Sequence, residues 1–135
     1  MTWTRVDGLR TLELGTPGRV RRELTALVLA GRKRATAGLL DVDYAAEGEE
    51  VERVGERLAV LDDGGAHVAT VEVTAVRVVP FAEVDDAFAR EEGEGYAGHA
   101  DWAAAHERYW AGVGVAVSAG TPVVCLRFRL VGADG

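Results

Sequence analysis

The chain has 135 residues, of which 48% are hydrophobic, 27% charged and 7% aromatic. That is enough apolar material for the core of one domain, too little length for two, and far from the profile of a disordered chain. A formal net charge of −7 excludes a general electrostatic grip on duplex DNA, which needs an excess of Lys and Arg to release counterions.

The opening MTWTRVDGLRTLELG has no apolar leader, and no stretch approaches the length of a membrane span, so a cytoplasmic location without a membrane partner is expected. Leu9 to Leu14 reads as a short strand. In the GTPG that follows, Thr16 is set to cap free backbone N–H groups, with Pro17 in the first turn of a helix. Val20, Leu24, Leu27 and Val28 then repeat at helical spacing, and Gly31 ends the helix in a left-handed conformation. Arg19, Arg21, Arg22, Arg32, Lys33 and Arg34 crowd sixteen positions whose only acid is Glu23, which makes either a solvated helix face or a local basic patch.

Ala35 to Leu40 reads as a short strand, and DVDYAAEGEEVERVGE as an acidic loop with a turn of helix, carrying Tyr44 where it can stack on a ligand. RLAVLD, a turn at DDGG and the long run HVATVEVTAVRVVP form a β-hairpin that Pro80 stops. Within it Val71 and Val73 alternate with Thr70, Glu72 and Thr74. Glu72 therefore projects from the more polar face, as a solvated acid or as the acid of a cleft.

Phe81 to Glu92 reads as a helix broken by GEGYAG, with EEGEG (Glu91 to Gly95) as a connector or a lid. Ala100 to Ala111 forms a second helix with Trp102, His106, Tyr109 and Trp110 near one face, a packed aromatic cluster or a surface on which a nucleobase stacks. TPVVCLRFRLV closes the chain as a strand that sets Leu126, Phe128 and Leu130 on one side and Arg127 and Arg129 on the other. Its Cys125 is the single cysteine, which rules out an internal disulfide; with His67, His99 and His106 it has no metal-ligand spacing, so no metal site is expected. Strands, inserted helices and a final strand give an α+β fold with a mainly antiparallel sheet, and closure into a small barrel would remove the sheet's exposed edges.

Of 15 basic residues only Lys33 is a lysine. Arginine stays protonated in proteins and cannot serve as a base, whereas a lysine can when burial or neighbouring cations act on it, and it can also serve as a point charge for phosphate.

The run PGRVRRELTALVLAGRKRATAGLL, followed in order by VGERLAVLDDGG, VEVTAV, VPFAEV, FAREEGEG, the DWAAAH helix and PVVCLRF, resembles the ASCH domain family from about Leu14 to Val131. The family's G-x-K-x-x-T signature is met by Gly31, Lys33 and Thr36. The resemblance implies a single domain, core about 9–131, with a PUA-like small antiparallel β-barrel and flanking helices. It also implies RNA-related work: one branch is an amidohydrolase that removes the acetyl group from acetylcytidine, others are RNA-binding modules, and a ribonuclease activity belongs to another.

On the amidohydrolase pattern Thr36 is the nucleophile, Lys33 its base and Glu72 the best match for the third residue. Arg32, Arg34, Tyr44, Trp102 and His106 are the ligand-contact candidates for a nucleoside or RNA ligand, and no cofactor is implied. The alternatives are a binding module that holds RNA through Arg19 to Arg34, or a ribonuclease using Lys33 for phosphate charge and His106 as acid or base. Two residues depart from the family pattern near the expected cleft, Arg34 after the lysine and Tyr96 after GEG.

Overall fold

Turn chemistry sets the ends of most elements. In the computed structural model, which describes residues 2–133, Asp7 and Gly8 take positive φ (53° and 79°) and join β1 (Arg5–Val6) to β2 (Leu9–Leu12) as a tight hairpin. Helix α1 (Arg19–Leu29) follows, then β3 (Ala35–Leu39), a π-helical turn (Leu40–Tyr44) and a 3-10 turn (Ala45–Glu47). The expected hairpin is β4 (Arg57–Leu61) with β5 (His67–Pro80). Helices α2 (Asp86–Glu91) and α3 (His99–Gly112) and strand β6 (Pro122–Ala133) complete the order.

Two helix starts differ from expectation. The N-cap of α1 is Gly18, whose N–H is held by Asp63, and Thr16 contributes only its backbone carbonyl, which accepts from Arg21 N at 3.2 Å. Pro17 therefore lies outside the helix. The segment expected as one helix from Phe81 divides into a 3-10 turn (Phe81–Glu83) and α2, because Asp85 caps a new helix by accepting from Phe88 N at 2.7 Å.

The six strands form one sheet in the order β1-β2-β4-β5-β6-β3. Every pairing is antiparallel except β2 with β4. The sheet is not closed into a barrel: β1 and β3 are its edges. β1 is only two residues long, and β3 has α1 and α3 beside it rather than another strand.

Alternation along β6 divides the interior. Val124, Leu126 and Phe128 join the cluster that includes Val28 of α1, Leu58, Val60 and Val71. Val123 and Cys125 face the opposite cluster, built on Phe81, Phe88, Trp102 and Trp110 under α2 and α3. At the N-terminus Trp3 straps the turn after β3: its Nε1 donates to the Asp43 carbonyl at 2.9 Å, and its ring meets Tyr44 edge-on at 4.9 Å.

One buried side-chain atom among the described residues lacks a partner, the Thr25 hydroxyl on the inner face of α1. An unpaired buried hydroxyl costs about 1–3 kcal/mol. Thr25→Val keeps the branched shape and removes that cost, so urea denaturation should show the variant more stable by about 1 kcal/mol.

Candidate functional site

Gly31, at φ 74°, ends α1 and turns the chain so that the N–H groups of Arg32 and Lys33 both reach the Leu27 carbonyl, at 2.9 and 3.1 Å. Residues 91–93 dock onto this exit. Arg34 N donates to the Glu91 carbonyl at 2.9 Å, and Gly93 packs so tightly that a Cβ there would lie 2.2 Å from the Arg32 carbonyl oxygen. The close approach, together with φ 71°, makes glycine a requirement at position 93.

This docking buries a charge network. Lys33 is 2% exposed and Glu92 1%. Lys33 Nζ donates to Glu94 Oε2 at 2.7 Å, to Glu92 Oε1 at 3.2 Å and to the Glu92 carbonyl at 3.3 Å. These three acceptors match the three N–H bonds of an ammonium. The other Glu92 oxygen accepts from Trp102 Nε1 and lies 3.5 Å from His106 Nε2.

His106 is held in turn. Its Nδ1 donates to the Trp102 carbonyl at 2.9 Å, and its ring stacks on Trp102 at 4.3 Å between centroids. For the Glu92 carboxyl, burial acts to raise the pKa, but the Lys33 ammonium, then His106 and Trp102, outweigh it and hold the group below the usual carboxylate range.

Beside the network lies a cavity of about 270 Å³ running along β3 between α1 and α3. Lys33, Thr36, Glu92, Glu94, Tyr96 and His106 form its polar wall. Burial, then the nearby Glu94 and Glu92 carboxylates, push the Tyr96 phenol up. Leu14, Leu24 and Leu39 supply apolar lining.

Of the expected catalytic and ligand-contact residues the cavity gathers Lys33, Thr36 and His106, with Tyr109 and Trp110 of the same helix face, and leaves out Glu72, Tyr44, Trp102, Arg32 and Arg34. Glu72 is on the sheet surface, 3.5 Å from Arg57 and 3.3 Å from Arg129. Strand alternation puts it opposite cross-strand arginines instead of in a cleft. Tyr44 is buried and donates to Glu52 Oε1 at 2.9 Å, so it is a core residue and not a stacking platform.

Trp102 has no exposed surface and serves as core and as donor to Glu92. Arg32 and Arg34 are exposed and do not line the cavity. The rest of the basic run is engaged: Arg21 is buried on the Leu14 and Gly15 carbonyls, Arg19 pairs with Glu23, and Arg22 with Asp63. Glu92, Glu94 and Asp43 are cavity residues absent from the sequence expectation. The signal for the first two was the Gly-flanked EEGEG, the one acidic stretch set directly before the Trp102–His106 helix.

The ASCH domain family model matches residues 13–132. The chain belongs to the ASCH domain family. The ASCH fold is PUA-like, and here it is a mixed α+β sheet with two open edges. A crystal structure of protein EF3133 from Enterococcus faecalis is similar to this ASCH domain at 28% identity, covering 87% of this chain and 72% of that one, with a TM-score of 0.75. An ASCH domain from Lactobacillus crispatus is similar at 26% identity over 90% of this chain and 78% of that one, with a TM-score of 0.74. No curated protein matches the chain. Among the described residues no helix is long and apolar enough to cross a membrane.

Because the folded pKa of Glu92 is below its unfolded value, its carboxylate contributes stability above the unfolded pKa, about 4.3. That contribution disappears as the pH falls through the folded value. Glu92→Gln should lose about 3 kcal/mol at neutral pH, since it leaves the buried ammonium short of a partner. It should also flatten the loss of stability as the pH falls below about 4.3, measured by denaturant titration at each pH. Gly93→Ala should prevent folding or lower the melting temperature sharply, because the added methyl meets rigid backbone.

Proposed function

We propose that the cavity binds an uncharged nucleoside and hydrolyses an amide on it, of the kind acetylated cytidine presents. The observation that carries this reading is one half-enclosed cavity lined by both Lys33 and Thr36, with the Glu92 and Glu94 carboxylates that also line it holding Lys33 Nζ. At about 270 Å³ the space is at the small end for ligand sites, suited to a nucleoside rather than a strand. Four carboxylates, those of Glu13, Asp43, Glu92 and Glu94, line it against one ammonium. That field disfavours a phosphate and so weighs against the ribonuclease alternative.

The chemistry uses the short Lys33–Glu94 contact. Transfer of a proton from Nζ to Glu94, across 2.7 Å, leaves a neutral amine beside a carboxylic acid. The amine takes the Thr36 hydroxyl proton as Oγ1 bonds to the amide carbon, giving a tetrahedral intermediate. The C–N bond then breaks, and the leaving nitrogen takes a proton from Glu94, which has 20% of its side chain exposed. Water then cleaves the acyl ester, returning the hydroxyl to Thr36 and releasing the acid. Glu92, held by Trp102 and His106, keeps Lys33 in place throughout.

A second reading, RNA contact without turnover, is favoured by Arg32 and Arg34, which are exposed and make no ion pair among the described residues. It requires RNA affinity that falls with salt and with Arg32→Ala and Arg34→Ala.

Purified protein should convert acetylcytidine to cytidine, followed chromatographically. Lys33→Ala and Thr36→Ala should each lower kcat/KM by roughly 100-fold or more, while Glu72→Gln on the sheet surface should leave it within about twofold. Full activity in both cavity variants would remove the mechanism.

A further inference from the structure

The carboxylates of the cavity are not equivalent. Glu92 and Glu94 hold Lys33, and Glu13 lies 3.5 Å from Arg21. Asp43 has no cationic partner among the described residues. Its Oδ2 accepts from Leu39 N at 2.7 Å, its main-chain carbonyl accepts from Trp3 Nε1 at 2.9 Å, and its Oδ1 makes no hydrogen bond or ion pair to any described residue. The residue is thus held through its main chain and through one carboxylate oxygen, with the other carboxylate oxygen left over. Burial pushes its carboxyl above the usual carboxylate range.

The cavity also has a direction. The Lys33–Glu92 end is closed off from solvent, whereas Val20, Val42, Tyr109 and Val113, which line it too, are 44%, 42%, 40% and 51% exposed. Asp43 follows Val42 in the turn after β3, and both line the cavity together with Tyr109. Asp43 therefore sits with the apolar collar at the mouth, and Lys33 at the floor. A ligand whose amide meets Thr36 and Lys33 brings its other end to a fixed carboxylate framed by apolar side chains. The complement of that frame is a group with neighbouring O–H donors and an apolar C–H face, which is a sugar diol. A carboxylate accepting from ribose hydroxyls is a general solution for nucleoside recognition.

We propose that Asp43 is the sugar anchor of the cavity, accepting hydrogen bonds from the ribose hydroxyls of the nucleoside proposed above, so that the site selects a ribonucleoside over its free base or its dideoxy form. The same charge at the mouth disfavours a phosphate on the sugar.

The test compares kcat/KM for acetylcytidine, its 2′,3′-dideoxy analogue and acetylcytosine in the wild type, Asp43→Ala and Asp43→Asn. The wild type should prefer the ribonucleoside by about 10- to 100-fold, the range for hydrogen bonds to a charged group. In Asp43→Ala that ratio should fall close to one. Should the alanine variant fail to fold for want of an acceptor for Leu39 N–H, Asp43→Asn retains that acceptor, and its ratio should fall as well. A preference kept intact in the folded variants overturns the anchor, as does a wild type that shows none. If no acetylated compound is hydrolysed, the amidohydrolase reading fails separately, and calorimetric titration with cytidine and cytosine decides the anchor. Tighter binding of cytidine that is lost in Asp43→Ala supports it; equal binding, or none, overturns it.

Discussion

A buried ammonium must be paired or it cannot stay buried, and the pairing of Lys33 organises one whole side of this molecule. Glu92 and Glu94 reach it only because Gly93 allows the 91–93 segment to press against the end of α1. Glu92 brings a second requirement, because its remaining oxygen is also buried; Trp102 and His106, one turn apart on α3, meet it. Helix α3 is therefore tied through a carboxylate to the loop after α1, and the cavity is the space left between the two helices. Remove the ammonium and every one of these contacts loses its reason.

The same network explains why the chain's one lysine stands where it does. Three acceptors surround Nζ at 2.7 to 3.3 Å, from two carboxylates and a carbonyl. A compact ammonium with three donors and a flexible stem meets such a cluster at a point. A guanidinium spreads five donors in a plane and would need a larger, flatter site. Arginines serve the chain elsewhere, where forks suit the partners: Arg21 spans the Leu14 and Gly15 carbonyls, and Arg10 grips both oxygens of Glu56. The contrast between one lysine and many arginines is a contrast between a point contact and forked contacts.

Local chemistry was readable where it was sufficient. Gly31 as the end of α1, DDGG as a hairpin turn and the alternating end of β6 follow from backbone and burial preferences that a few neighbouring residues decide. Sheet closure does not follow from them, since it depends on whether β3 meets a strand or a helix on its outer side. Nor could Glu92 be told from the other acids, as its burial depends on a backbone approach between positions sixty residues apart in the chain. Glu72 looked better because strand alternation made it project, but the same alternation placed arginines opposite it. Tyr44 lay in an acidic loop, and only the strap from Trp3 and the partner Glu52 show why that loop is folded inward.

The open edge of the sheet is what gives the cavity its chemistry. Had another strand paired with β3, the space beside Thr36 and Ala37 would be filled by ladder hydrogen bonds and side chains of regular alternation. Instead the edge is flanked by two helices and a wide turn, which contribute residues with no common periodicity: Lys33 from a helix exit, Asp43 from the turn, His106 from a helix face. A hollow assembled this way can be acidic overall, closed to solvent at one end and bordered by exposed apolar side chains at the other, a combination that one strand or helix face cannot present. On the proposed function, its charge balance does the selecting. A neutral ligand avoids repulsion from the carboxylates and still finds one ammonium and one free acceptor, whereas an anionic ligand has to overcome the whole lining to reach the same two groups.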